Sequence, residues 1–468
     1  MSNNICLTKH FTFLKYVNQH QMFYFLTLFT FAVLFALVWI LRKYTTFEKL
    51  RIPRASRPKF PYGNFSGVLK GETTLHIFLW KYHNRFKKKI YKYGGLFVFL
   101  KPVLLLTDVT VAEELTQEKF LQICPKESKL TKDNVETILR TGALRTFIQK
   151  FQYSVNTAIP EKLLNSHTET VIKEFLLESC CLAFGFKSFE LLQEINELQQ
   201  RYQISSKFYL FLTIPFFNRK KRKLCYDLEE YFIDILEDRK KNDSEETDLL
   251  EAFINLYNES EIPVAGIAEE LFDLFSDILN YSYSAIMFCL YELSNHKEIQ
   301  DELIGEIRRH NNDKKSSAYD LLKLVYLDAV VKETFRKYPP VASIIKVGRK
   351  DTGTLDWYPV KDPVIFQSVL GIQRDSEFYT KPEDFDPDRF SDNQVPKKGV
   401  YKPFGDGPAS DLRLKVASVQ VKLMLHSILS SLRVEFKNDD CTLKYDPKLI
   451  YLSPGSDRIN LKFLKIQY

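Results

Sequence analysis

The segment Ile262 to His296 repeats Leu271, Leu274, Phe275, Ile278, Leu279, Ile286, Leu290 and Leu293 at helical spacing. Its apolar residues cover much of the helix circumference, so the segment belongs in a core and not on a surface. That calls for a large folded body around it. The chain has the material, with 468 residues, 45% hydrophobic and 27% charged. This composition excludes a disordered chain. Length alone suggests roughly two or three domains, a prior that large single helical bodies override. The net charge of +7 is concentrated in local runs, Arg42 to Lys59 and Arg219 to Lys223. It therefore does not describe a nucleic-acid-binding surface. The 7 cysteines are irregularly placed, with no C-x-x-C pair and no metal-ligand spacing. They point to a reducing compartment without a disulfide framework, with Cys180 and Cys181 as small buried apolar residues.

Met22 to Leu41 carries no charge and, at about twenty residues, is long enough to span a bilayer. It is too long for a signal-peptide core and lacks a small-residue cleavage site. The competing assignment is a buried core helix. Lys9 and Lys15 precede the run, and Arg42, Lys43, Lys49, Arg51, Arg54, Arg57 and Lys59 follow it. The excess of cations after the run places the N-terminus in the lumen and the body in the cytosol. Pro53, Pro58, Pro61 and Gly63 then form a stiff connector in which a helix cannot continue. The expected organisation is a luminal segment 1–21, a transmembrane anchor 22–41, a basic Pro-rich linker 42–64 and a body 65–468. Further along, Phe208 to Lys223 joins an aromatic stretch to five basic residues, RKKRK. It suits a segment dipping into lipid headgroups, or equally a core helix followed by a solvated loop.

Gly94 to Glu114 contains two short apolar runs separated by Lys101-Pro102, which predicts a hairpin followed by a helix from about Asp108. Asp133 to Phe151 and Glu169 to Phe186 have helical patterns, the second with Gly185 as its C-cap. In Lys323 to Pro340, Glu333 and Arg336 lie three apart on one helical face. Arg389 follows within KPEDFDPDRF. Pro403 to Ala417, PFGDGPASDLRLKVA, is a Phe-Gly-x-Gly turn running into an amphipathic helix that extends to Leu432. Val434 to Leu464 reads as short strands.

Phe404, Gly405 and Gly407 resemble the cysteine-ligand loop of the cytochromes P450, Phe-x-x-Gly-x-Arg-x-Cys-x-Gly. Glu333, Arg336 and Arg389 match, in chain order, the buried Glu-Arg-Arg network of that family. Trp357 to Arg374 resembles the sheet that precedes this loop in the family. The resemblance runs from residue 22 onward and is most specific between Phe288 and Leu423. It is similar to microsomal, insect detoxification-type members. It implies a mainly α fold with small β-sheets (α+β), an N-terminal transmembrane helix, and single-pass residence in the endoplasmic reticulum membrane. It also implies an iron-bearing haem, monooxygenase activity on small hydrophobic substrates, and a reductase as redox partner. Arg140 and Lys346 fall where the family holds haem propionates, with Glu136 and Thr137 at its Trp and Arg positions.

The chain departs from the pattern at its chemistry. Ala409 stands at the Arg position, Asp411 at the axial Cys position and Arg413 at the following Gly position. In the oxygen-activating stretch, Ala-Gly-x-Glu/Asp-Thr, this chain has Asp277, Ile278, Leu279, Asn280 and Tyr281. Oxygen activation needs an electron-rich thiolate, and a carboxylate is a hard ligand without that donor strength. At a helix start Asp411 also suits a capping role. Cys441 lies in the tail strands and cannot replace residue 411 without a register change. Three alternatives stand. One is a catalytically impaired pseudoenzyme with a binding or regulatory role, acting through a protein partner or a hydrophobic ligand. Another is a haem- and iron-binding protein with a non-Cys ligand and altered chemistry, Asp411 standing at the axial-ligand position. The last is a decayed product without function, against which the intact Glu333, Arg336 and Arg389 argue.

Overall fold

A computed structural model describes residues 3–114, 120–124, 128–155, 159–184, 233–234, 236–239, 241, 248–259, 263–313, 318–348, 358, 360, 362–391, 399–437, 442–449, 451–455 and 459–466. Within them the protein is mostly helical with two small sheets. The central helix, Val264–Asn295, starts after Pro263 and ends at His296, which also begins the next helix, Lys297–Asn312. It is enclosed as its sequence requires: Leu271, Phe275, Ile278, Ile286, Leu290 and Leu293 are fully buried. One apolar cluster joins it to the brace helix, Val325–Lys337, and to the loop helix, Pro408–Leu429.

The larger sheet has the order β1-β2-β5-β4-β3, from β1 (Tyr93–Val98), β2 (Lys101–Leu106), β3 (Phe120–Cys124), β4 (Ser343–Gly348) and β5 (Val364–Ser368). Only the β2–β5 pairing is parallel. The β1–β2 hairpin turns at Phe99 and Leu100, so Lys101 and Pro102 open β2 and do not form the turn. Pro102 is tolerated there because β5 pairs with β2 only from Val103 onward, beyond the missing N–H. The smaller sheet pairs β6 (Leu432–Phe436) with β7 (Leu461–Lys465).

Other boundaries differ from the sequence expectation for local reasons. The helix expected over 133–151 is two helices, Lys132–Arg140 and Ala143–Val155, broken where Gly142 adopts φ +79°. Thr131 and Asn134 close a capping box on the first. Of Trp357 to Arg374, only Val364–Ser368 is strand, and Val369–Gln373 turns into a short helix capped by Ser368. The loop helix stops at Leu429, which frees Leu432 to begin β6. Phe208 to Lys223, Gly185, Trp357 and Cys441 lie outside the described residues. Cys180 is buried, as expected.

At the N-terminus, Asn3–Tyr44 is one helix. Its stretch Phe23–Tyr44 is long and apolar enough to cross a membrane, and it is exposed over most of its length, with Tyr44 at its end buried edge-on to Phe97 at 5.2 Å. The connector after it is docked. Phe47 is fully buried, edge-on to Phe97 at 4.8 Å between ring centroids. Gly95 permits this approach: a Cβ there would lie 2.6 Å from the Phe47 ring.

Candidate functional site

The loop at 402–407 is held from several sides. The Val341 N–H donates to the Pro403 carbonyl at 3.0 Å, and the Lys402 N–H donates to Gln373 Oε1 at 2.9 Å. Phe404 is buried edge-on between Phe335, at 5.0 Å, and Tyr281, at 5.7 Å. Gly405 and Gly407 take φ +84° and +99°, a region open to glycine but strained for other residues. Pro408 then starts the loop helix, where its missing N–H costs nothing.

Because the helix starts at Pro408, its N-cap is Gly407, and no side chain caps it. Asp411 is therefore not the cap that its sequence position suggested. It sits exposed in the first helical turn, where a negative charge still meets the positive end of the helix dipole. Ala409 is buried. Arg413 turns inward and is only 4% exposed. Its Nε lies 2.7 Å from Asp277 Oδ2 on the central helix. Burial pushes the Asp277 carboxyl up to about 6, Arg413 pulls against that rise, and Asp273 adds to it. Burial also works against the Arg413 charge, but Asp277, Asp273 and Glu270 outweigh it and raise its pKa.

The positions around Asp277 are occupied by structural contacts. Ile278 is fully buried. The Asn280 side-chain amide donates to the Ser276 carbonyl at 2.8 Å, and its oxygen accepts from the Tyr451 hydroxyl at 3.0 Å. Tyr281 packs edge-on to both Phe404 and Tyr451, and its hydroxyl is placed to bond the Asp277 carboxylate. One turn and more upstream, buried Glu270 accepts from the Ser128 hydroxyl and the Lys129 N–H, both at 2.6 Å.

Lys346 is 3.0 Å from Asp406 of the loop, and Lys402 bonds the other oxygen of that carboxylate at 2.7 Å. Burial opposes the Asp406 charge, but the two lysines keep its carboxyl below the usual range. Arg140 is elsewhere: it is exposed, and its guanidinium pairs with Glu136 on the same helix at 3.1 Å.

Glu333, Arg336 and Arg389 are brought together. Arg336 grips Glu333 through two N–H groups at 2.6 and 2.8 Å, with both side chains fully buried. Arg389 approaches the same carboxylate at 3.5 Å, and the Asp386 N–H donates to it at 2.9 Å. The remaining Arg336 donors reach the Gln373 and Asp384 carbonyls at 2.9 and 3.2 Å. This network clamps the brace helix to the segment leading into the loop.

Two features escaped sequence reasoning. Asp277 and Arg413 were each visible as a departure, and their opposite charges were the signal that could have paired them. Gln420 gave no signal. It accepts from the Ser282 hydroxyl at 2.6 Å and donates to Ser179 Oγ and Cys180 Sγ at 3.0 and 3.3 Å, tying three helices together in the core.

Comparison with known proteins agrees with this architecture. The family model "Cytochrome P450" matches residues 132–462. Cytochrome P450 6l1 of Blattella germanica is 37% identical over 249 residues, covering 50% of this chain and 48% of that protein. The probable cytochrome P450 6a20 of Drosophila melanogaster is 24% identical over 470 residues, covering 86% of this chain and 92% of that protein. Cytochrome P450 6A1 of Musca domestica is 30% identical over 274 residues, covering 52% of this chain and 53% of that protein.

Proposed function

Because the chain belongs to the cytochrome P450 family, we propose that it is a membrane-anchored member that has given up haem-thiolate monooxygenase chemistry and serves a binding or regulatory role. The family implies a haem cofactor, and the residues present do not fit one. Asp411 offers a hard carboxylate where an electron-rich sulfur is needed. Its side chain is exposed at the surface of the loop helix. Two positions on, Arg413 puts a guanidinium where the family's glycine leaves room for a flat apolar group. The observation that carries this reading is the 2.7 Å approach of Arg413 to Asp277, which joins the loop helix directly to the stretch at the family's oxygen-activating position. Asn280 and Tyr281 are likewise engaged with Ser276, Tyr451 and Phe404, which supports the loss of the family's acid and hydroxyl relay.

In this reading Phe23–Tyr44 anchors the chain in the endoplasmic reticulum membrane with the body in the cytosol, the side favoured by the cations from Arg42 to Lys59. A small hydrophobic molecule or a protein would be the bound partner. A reductase would find no electron acceptor. The test is to extract the full-length chain from membranes in mild detergent, quantify haem as its pyridine adduct and record the reduced carbon-monoxide difference spectrum. The expected result is little haem and no thiolate-type band. Stoichiometric haem with that band would overturn the proposal.

A further inference from the structure

Asp277 and Arg413 lie far apart in the chain, and each departs from the pattern that the rest of its motif keeps. On the central helix a charged residue stands at an alanine position. On the loop helix a charged residue stands at a glycine position. Either change alone would bury an uncompensated charge, which a folded core does not tolerate at low cost. Together they meet at 2.7 Å, with Arg413 buried and Asp277 23% exposed at its side chain. Tyr281, a third departure, backs the same carboxylate and packs on Phe404 of the loop. The three replacements therefore make one interlocking contact between the two helices that flank the family's haem.

We infer that Asp277 and Arg413 are a compensating pair, an internal latch that takes the place of the prosthetic group and closes the fold in its haem-free form. This rests on the functional reading above and deepens it: the site has been rebuilt to exclude haem, beyond the loss of its ligand. The latch holds the loop helix against the central helix where a haem would otherwise bridge them. It is not a reservoir of stability. A buried ion pair barely repays its desolvation, so its signature is dependence of each partner on the other.

The test is a double-mutant cycle on the full-length chain in detergent, with Asp277→Ala, Arg413→Ala and both together, read as urea midpoints. Each single change is expected to lower the midpoint, and the double change to recover most of the larger loss. The charge-exchanged variant, Asp277→Arg with Arg413→Asp, keeps the test open if a single variant does not fold; its midpoint should stay near that of the parent. Added hemin should raise the midpoint of the double variant more than that of the parent, because binding to the folded state shows as stabilisation. Additive single effects, or a parent stabilised by hemin as much as the double variant, would overturn the latch. A haem-free chain with additive effects would sink only this inference. A chain carrying thiolate-ligated haem would sink the functional reading.

Discussion

Two buried charge clusters lie within one helical core, and they differ in how completely they are satisfied. Around Glu333, two arginines and a backbone N–H converge on one carboxylate, and Arg336 spends its other donors on two carbonyls. Around Asp277 there is one guanidinium at 2.7 Å and one tyrosine hydroxyl. The first cluster clamps elements that any version of this fold must clamp. The second occupies positions that the proposed function assigns to a cofactor site no longer in use.

The sharpest way to break this contrast is to cut the brace. Arg336→Ala leaves Glu333 as a fully buried carboxylate short of its main partner, and should cost about 3–5 kcal/mol. Loss of soluble, urea-cooperative protein would show it. A mild effect would mean that the brace is not what holds the loop in place. Arg413→Ala should cost less, about 1–3 kcal/mol, since Asp277 is partly exposed and can take up a proton. Equal costs for the two variants would erase the distinction between the clusters.

Acid titration sharpens the comparison further. The folded-state value of Asp277, about 6, lies above the unfolded value of about 3.9. The folded form binds this proton more tightly, so this carboxyl alone makes stability fall as pH rises from about 4 to about 6. His426, at the far end of the loop helix, acts in the opposite sense. Burial, helped by nearby His310, pushes it down to about 4, so its contribution is complete above about 6.5 and is lost as pH falls toward about 4. The two slopes oppose one another in the parent. Urea midpoints across this range should rise more steeply with pH in Asp277→Asn and flatten or fall in His426→Gln. Unchanged profiles in both variants would contradict these assignments.

The smallest effect is expected at Asp411, the position to which the resemblance gives the central role. Asp411→Ala should lower the urea midpoint only slightly, because the side chain is exposed and loses only its weak interaction with the helix dipole. Asp411→Cys alone should not give a haem-thiolate spectrum, because Arg413 and Ala409 remain. A thiolate band from that one change would show that the neighbouring positions pose no obstacle.

Much of the fold was legible because its signals are local. The apolar circumference of Ile262 to His296 required enclosure, and the two runs after Gly94 required a hairpin. Glu333, Arg336 and Arg389 were legible through motif and order. Boundaries set by a single residue were harder. Gly142 splits a continuous helical pattern, and Pro408 starts the loop helix early enough to make Gly407, and not Asp411, the cap. Both residues were in plain view, but periodicity masked the first and motif position the second. The pairing of Asp277 with Arg413 is a tertiary fact. Each residue reads alone as damage, and only the crossing of the central and loop helices turns two losses into one contact.

The central claim, a P450 scaffold retained without its haem, is tested most directly by haem stoichiometry. The full-length chain would be produced with surplus haem precursor, purified in detergent and measured for haem per chain and for the reduced carbon-monoxide spectrum. The account predicts haem far below one per chain and no thiolate band. One haem per chain with a thiolate band would contradict it.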